Sequence, residues 1–407
     1  MNWLRSGRDL IARLVDASAR ERLVISIAAL IASLILGALI VLVSGFAATC
    51  DQPFLTTGAG TFCYDPFEVY FQLFVSPFLS PFNLSVMLKE VTLLLLTGLS
   101  VAVAFRAGLF NIGTQGQLVF GGLGTALAVL WAAPLAPSGI AGAVVLVSLG
   151  LACGAGVGGL YGAIPGLLKA YAEANEVITT IMLNFIAINT AFYLVSTFFQ
   201  DPTSQSIETR SLPVVAQLRP VIPAFAGSSF SVLALTGALV LVGLVYFLLF
   251  HTAIGYDLRT SGLQPSAARY GGVDSPRMIV TSMTLSGALG GLGGAVYVMM
   301  VLGRWRTGVP PIGFDGITVS ILASNNPLGV LPAAVLFGIM KSGSLSINFA
   351  LGVPKQLVAV LRGLVILFVA MPEFFRMLGR YLGIERTDRT LTAGGGGPSE
   401  RGDDARE

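Results

Sequence analysis

Leu23-Val-Ile-Ser-Ile-Ala-Ala-Leu-Ile-Ala-Ser-Leu-Ile-Leu-Gly-Ala-Leu-Ile-Val-Leu-Val-Ser-Gly-Phe46 follows a segment carrying Arg5, Arg8, Arg13, Arg20 and Arg22. A bilayer core about 30 Å thick takes roughly 20 apolar residues per helical crossing, so this uncharged stretch is long enough to span. It is too long for the apolar region of a secretory leader and lacks a clean cleavage box, which makes it a retained first span. Similar runs recur at 86–105, 116–133, 140–164, 176–199, 230–250, 278–302, 327–347 and 354–371. A shorter run follows Phe314 and stops at Ala323, before Ser324-Asn325-Asn326-Pro327, which predicts a broken or re-entrant element. The expected fold is an all-α polytopic membrane protein of about ten transmembrane helices, one of them short or broken.

Composition agrees: 54% of the 407 residues are hydrophobic and 11% are charged, where a soluble domain carries about a quarter charged. The net charge of +3 is spread over loops and ends, with no basic arm for nucleic acid. Arginine and lysine concentrate on one side of the expected spans, at Arg106, Lys169, Arg259, Arg269, Arg277 and the tail from Arg376 onward. The other side receives Arg210, Arg219, Arg304 and Arg306. The positive-inside rule then puts both ends in the cytoplasm and requires the element after Phe314 to count as a crossing. The expected division is a cytoplasmic segment 1–22, an extra first helix and external loop 23–83, a transmembrane domain 84–375 with a cytoplasmic loop 251–277, and a disordered tail 376–407.

Residues that could do chemistry are scarce. With one histidine and three cysteines there is no metal-ligand set, no nucleophile paired with a base and no phosphate-binding loop; Lys341-Ser342 lacks the glycine run that would cradle phosphates. No catalytic residue, metal or cofactor is expected. Cys50 and Cys63 share one polar loop free of Lys and Arg, and either pair in an oxidising exterior or are two unrelated small residues. Gly154-Ala-Gly-Val-Gly-Gly159 fits the letters of a dinucleotide fingerprint, but it lies in an apolar run without a soluble strand before it and reads as close helix packing, as do Gly287, Gly290, Gly291 and Gly294.

Three polar stretches are more informative. Ala104-Phe-Arg-Ala-Gly-Leu-Phe-Asn-Ile-Gly-Thr-Gln-Gly-Gln117 joins the second and third spans and sets Asn111, Gln115 and Gln117 among glycines. An unsatisfied amide in lipid costs several kcal/mol, so these side chains either bind neighbouring backbone or face an aqueous pathway. Asn175-Glu-Val-Ile-Thr-Thr-Ile-Met-Leu-Asn184 opens the fifth span with Glu176, Thr180 and Asn184 on one helical face. That stripe lines a pathway, or Asn175 and Glu176 merely cap the helix and leave Asn184 to be explained. His251 to Arg277, broken by Gly255, Gly262, Pro265, Gly271 and Gly272, predicts a short helix from about Pro265 to Gly271 that docks on a cytosolic partner or lies among lipid headgroups through Arg259 and Arg269. Charges within spans are few: Lys89 and Glu90 near an outer end, Asp315 at the start of the broken element, and Arg362 deep in the last helix.

Gly108-Leu-Phe-Asn-Ile-Gly-Thr-Gln-Gly-Gln117, the fifth-span motif and the loop from Gly255 through Arg259, Gly262, Ala267-Ala268 and Gly272 together resemble the permease family of ABC importers that includes ribose-type, branched-chain amino acid and nucleoside systems. The resemblance covers roughly 84–375, and the fifth-span motif is nearer the nucleoside branch, with simple-sugar permeases as neighbours. Gln115 departs from the acidic residue that many members carry there. The resemblance implies a cell-membrane permease subunit that pairs with a second homologous permease, binds a cytosolic ATP-binding subunit and receives solute from an extracellular solute-binding protein. It implies a coupling role for Gly255, Arg259, Gly262, Pro265, Ala268, Arg269 and Gly272, and a solute pathway that includes Asn111, Gln115, Gln117, Glu176 and Asn184. Two rivals predict different sequences. A lipid-modifying membrane enzyme would cluster His, Asp or Glu at a membrane face, and an ion-coupled carrier would tend to show an inverted repeat and act alone.

Overall fold

The computed structural model describes residues 19–50, 53–58, 60–354, 356–365 and 367–368. Arg5, Arg8, Arg13 and the tail from Arg376 lie outside the described residues. The chain divides into two compact units, one from Ala48 to Val358 and one holding the residues before and after it. In the second unit, α1 (Ala19–Phe46) turns Ile35, Leu39 and Val43 outward, as a lipid-facing helix does. A helix from Gln356 to Val365 carries the half-buried Arg362.

The unit Ala48–Val358 opens with a hairpin, β1 (Leu55–Thr57) antiparallel to β2 (Gly60–Phe62), closed at its base by a Cys50–Cys63 disulfide with Cα atoms 5.8 Å apart. Two short helices, α2 (Pro66–Phe74) and α3 (Ser76–Leu79), lead into the spans. Ser80 caps α4 (Pro81–Arg106) by accepting from the Asn83 N–H at 3.1 Å, with Pro81 at the first helical position. There follow α5 (Thr114–Ala132), α6 (Ile140–Ala172), α7 (Glu176–Leu194), α8 (Val232–His251), the short α9 (Ala253–Leu263) and α10 (Pro265–Tyr270), then α11 (Ser275–Val296), α12 (Ile312–Leu322) and α13 (Pro327–Leu351). Seven of the described helices are long and apolar enough to cross a membrane, and the segments Ile31–Phe46, Ile312–Leu322 and Gln356–Val365 are shorter apolar helices.

Burial sorts the spans into a centre and a periphery. The apolar windows of α4 and α11 are 78% and 72% buried, against 22% for α6 and α7 and 28% for α8. Helices cannot gain by moving apolar surface out of lipid, so close backbone approach and interhelical hydrogen bonds must hold the centre together. Both are present. A Cβ placed on Gly158 of α6 would lie 2.5 Å from the Gly287 carbonyl oxygen and the Gly291 Cα of α11, so the Gly154–Gly159 run is a packing seam. Ser100 Oγ of α4 donates to Ser286 O at 2.7 Å while Ser286 Oγ of α11 donates to Ser100 O at 2.6 Å.

The element after Phe314 is a half helix. At 1.5 Å per residue, the 11 residues of α12 cover about 16 Å, roughly half the hydrocarbon core. Gly316 sits against Thr97 and Val319 against Gly98, so α12 starts beside the middle of α4 and runs alongside it toward Arg106. α11 continues as a π-helical turn over Tyr297–Leu302, and residues 303–311, which lead from it to α12, are non-helical. Irregular backbone at membrane depth persists only where protein satisfies its polar groups.

Candidate functional site

The break between α4 and α5 supplies that satisfaction. Arg106 ends α4, Gly108 turns with φ of +70°, and Gly113 precedes α5. Gln115, in the first turn of α5, donates from Nε2 to Pro310 O at 2.9 Å and accepts from the Gly313 N–H at 2.8 Å. One buried amide thus adds a second donor to Pro310 O, which also accepts from the Ile312 N–H at 2.8 Å, and satisfies a first-turn N–H of α12 that has no intrahelical partner. At the far end of α12, Arg106 donates from Nε to Asn325 O at 2.7 Å and from a terminal nitrogen to Ser324 O at 3.3 Å. Ser324 and Asn325 are both left-handed, at φ of 51° and 56°, in the turn to α13. A cation at a helix C-terminus also offsets the negative end of its dipole. Two residues nine positions apart therefore hold both ends of the half helix.

The remaining amides tie the break itself. Asn111 Nδ2 donates to Gln117 Oε1 at 3.0 Å and to Ser286 Oγ at 2.7 Å, while its Oδ1 accepts from the Gly113 N–H at 2.9 Å and from Gln117 Nε2 at 3.3 Å. Asn184 of α7 accepts from the Gly116 N–H at 2.7 Å and donates to Ile112 O at 2.9 Å. Asn111, Gln115, Gln117 and Asn184 are thus brought together, all buried, with their amide groups engaged by backbone and by one another. Glu176 stands apart. It pairs with Lys169 at 2.9 Å at the other end of the α6–α7 turn, next to Asn175, which caps α7 by accepting from the Val177 and Ile178 N–H groups.

The loop 251–277 forms two helices rather than one. Pro265 opens α10, Ala268 is its buried residue, and Gly272 follows it with φ of +84°. Gly255 begins α9 against the backbone of Leu249, and Gly262 ends it against the backbone of Ala107 and Gly108. A Cβ on Gly108 would lie 2.6 Å from Gly262 O, so both positions require glycine for this approach. Arg259 lies 4.8 Å from the Phe250 ring centroid and Arg106 5.4 Å from the same ring, which joins α9 to the clamp on α12. Arg269, Leu263 and Tyr270 are exposed, the last two 87% and 97%.

A charge cluster escaped the sequence reading. Lys341 of α13 reaches Glu90 of α4 at 3.1 Å and Asp315 of α12 at 2.9 Å, and Glu90 also holds Lys89 at 3.2 Å. The side chains are 13–20% exposed. The signal in the sequence is Lys341 itself, a lysine well inside the apolar run 327–347, which calls for a buried partner.

These features define a multi-pass membrane protein organised around a discontinuous helix. The chain belongs to the family described as Branched-chain amino acid transport system / permease component, whose model matches residues 83–370. Among its relatives, the guanosine ABC transporter permease protein NupP of Bacillus subtilis is 34% identical over 88% of this chain and 96% of the relative. The nucleoside ABC transporter permease protein NupB of Lactococcus lactis is 31% identical over 82% and 92%, and a glucose ABC transporter permease protein of Haloferax volcanii is 32% identical over 77% and 82%. The chain is a membrane permease of an ABC transporter, a transport component rather than an enzyme, and its family works with ATP-binding and solute-binding partners.

Proposed function

We propose that this chain forms part of the route by which an ATP-driven importer takes up nucleosides, moving them by alternating access. The names of the relatives from Bacillus and Lactococcus support the solute class. The mechanism rests on one observation: the Gly262–Gly108 backbone contact joins α9 to the same short stretch whose Arg106 and Gln115 hold both ends of α12. In this reading α9 and α10 lie at the cytoplasmic face and dock on the ATP-binding subunit through Leu263, Arg269 and Tyr270. Closure of that subunit on ATP pushes α9 against the break, and α12 shifts relative to α4. A second, homologous permease completes the route, and an extracellular solute-binding protein delivers to the hairpin end. The satisfied amides of Asn111, Gln117 and Asn184 keep the break rigid enough to transmit the push.

Gly262→Val tests this in the complete importer. The added methyls cannot fit against Ala107, so α9 must stand off from the break. The expected result is loss of solute uptake and of solute-stimulated ATP hydrolysis while the subunits still copurify. Normal uptake by that variant removes α9 from the coupling path. Simple sugars are the second solute reading, favoured by the glucose permease among the relatives.

A further inference from the structure

We propose that a cavity at the hairpin end of the bundle is a holding site for a neutral, hydroxyl-bearing solute in transit. The cavity, about 430 Å³, lies between the first turns of α4, the Gly227–Ser229 segment that precedes α8, and the latter part of α13. Its size falls in the range of small-molecule sites, which combine apolar walls with a few placed polar groups. Phe82, 57% exposed, supplies an aromatic face, and Asn83, Lys89, Ser229, Ser342 and Ser346 supply polar atoms. The hydroxyls of Ser229 and Ser346 make no hydrogen bond to the rest of the described chain, so both are free for a ligand.

The floor of the cavity sets the charge it accepts. Lys89 belongs to the cluster with Glu90, Lys341 and Asp315, two cations against two anions. A solute with net charge would meet no unbalanced countercharge there, and it would still lose its hydration. Lys89 has three donor hydrogens and one carboxylate partner at 3.2 Å, which leaves donors for a hydroxyl or carbonyl oxygen. The cluster also connects the floor to Asp315 in the first turn of α12. A second cavity of about 700 Å³, bordered by Gln217, Arg219 and Arg304, shares Gly227–Ser229 with the first.

The site rests on the importer reading for its solute class, and the test separates the two. Ser346→Cys is introduced with Cys153→Ala, the other two cysteines being joined to each other. The full importer in lipid vesicles is treated with a membrane-impermeant methanethiosulfonate, alone or with guanosine, glucose or glutamate, and wild-type uptake of each is measured in parallel. A solute at ten times its dissociation constant slows labelling about tenfold. The site is supported when whichever of guanosine or glucose is transported protects Cys at 346 and glutamate does not, while Ser206→Cys in the exposed loop labels at one rate throughout. Absence of labelling, protection by neither neutral solute, or equal protection by glutamate overturns it. If uptake of guanosine persists in those cases, the importer reading stands without this site; if neither neutral solute is transported, the solute reading falls as well. Ser346→Trp, which fills the cavity, is expected to abolish uptake with subunit assembly intact.

Discussion

Lys341→Met isolates the charge cluster. Methionine preserves the length and much of the volume of the lysine stem but takes away the one cation that bridges α13 to both α4 and α12. Glu90 retains Lys89 at 3.2 Å, whereas Asp315, 20% exposed, loses its ion-pair partner. Leaving a buried charge without its partner costs about 3–5 kcal/mol. Lys89→Met removes a cation whose carboxylate keeps Lys341, so its cost should be that of one charged hydrogen bond, about 1.5–3 kcal/mol. Adding Asp315→Asn to Lys341→Met removes the orphaned charge and should recover about 1–3 kcal/mol as coupling between the two positions. The assay is denaturant unfolding in detergent micelles, followed by the fluorescence of the buried Trp305, whose indole N–H donates to Val119 O at 3.3 Å, in a background with Trp3 and Trp131 replaced by phenylalanine. If Lys341→Met is no worse than Lys89→Met, or the double variant recovers nothing, the cluster is not the joint between α12 and α13.

Gln115→Leu should unpair the Gly313 N–H at about 1–3 kcal/mol, Pro310 O keeping the Ile312 N–H, whereas Gln115→Glu keeps an acceptor for Gly313 and should cost less; hydrogen exchange at the start of α12 distinguishes them. Asn184→Ala frees the Gly116 N–H and Ile112 O, and is expected to lower the thermal stability of the purified chain by a similar margin and to loosen α5 against α7 in exchange measurements. Replacing Cys50 and Cys63 by serine should cost about 3 kcal/mol on the chain-entropy account of a short closed loop, read as loss of the sensitivity of hairpin stability to reductant.

Hydropathy made the helices legible because lipid imposes a length and a composition on every crossing, and the break at Gly108–Gly113 was legible as glycine among amides. The half helix was also readable, since the run from Phe314 to Ala323 is too short to span. The partners were not. Gln115 meets Pro310 and Arg106 meets Asn325, contacts across about 200 positions that leave no local pattern. Glu176 illustrates the opposite limit. Helical spacing puts it two turns before Asn184 on the same helix, but its ion pair with Lys169 of the preceding helix at 2.9 Å left no local pattern. The charge cluster was hidden for the same reason as Gln115, since its members come from three helices and each looks isolated on its own.

The most direct test of the account is uptake of labelled guanosine into vesicles holding this chain, a homologous permease, the ATP-binding subunit and the solute-binding protein, with and without ATP. The account predicts ATP-dependent uptake that disappears when this chain is left out. Uptake by this chain alone without ATP, or undiminished uptake in its absence, would contradict it.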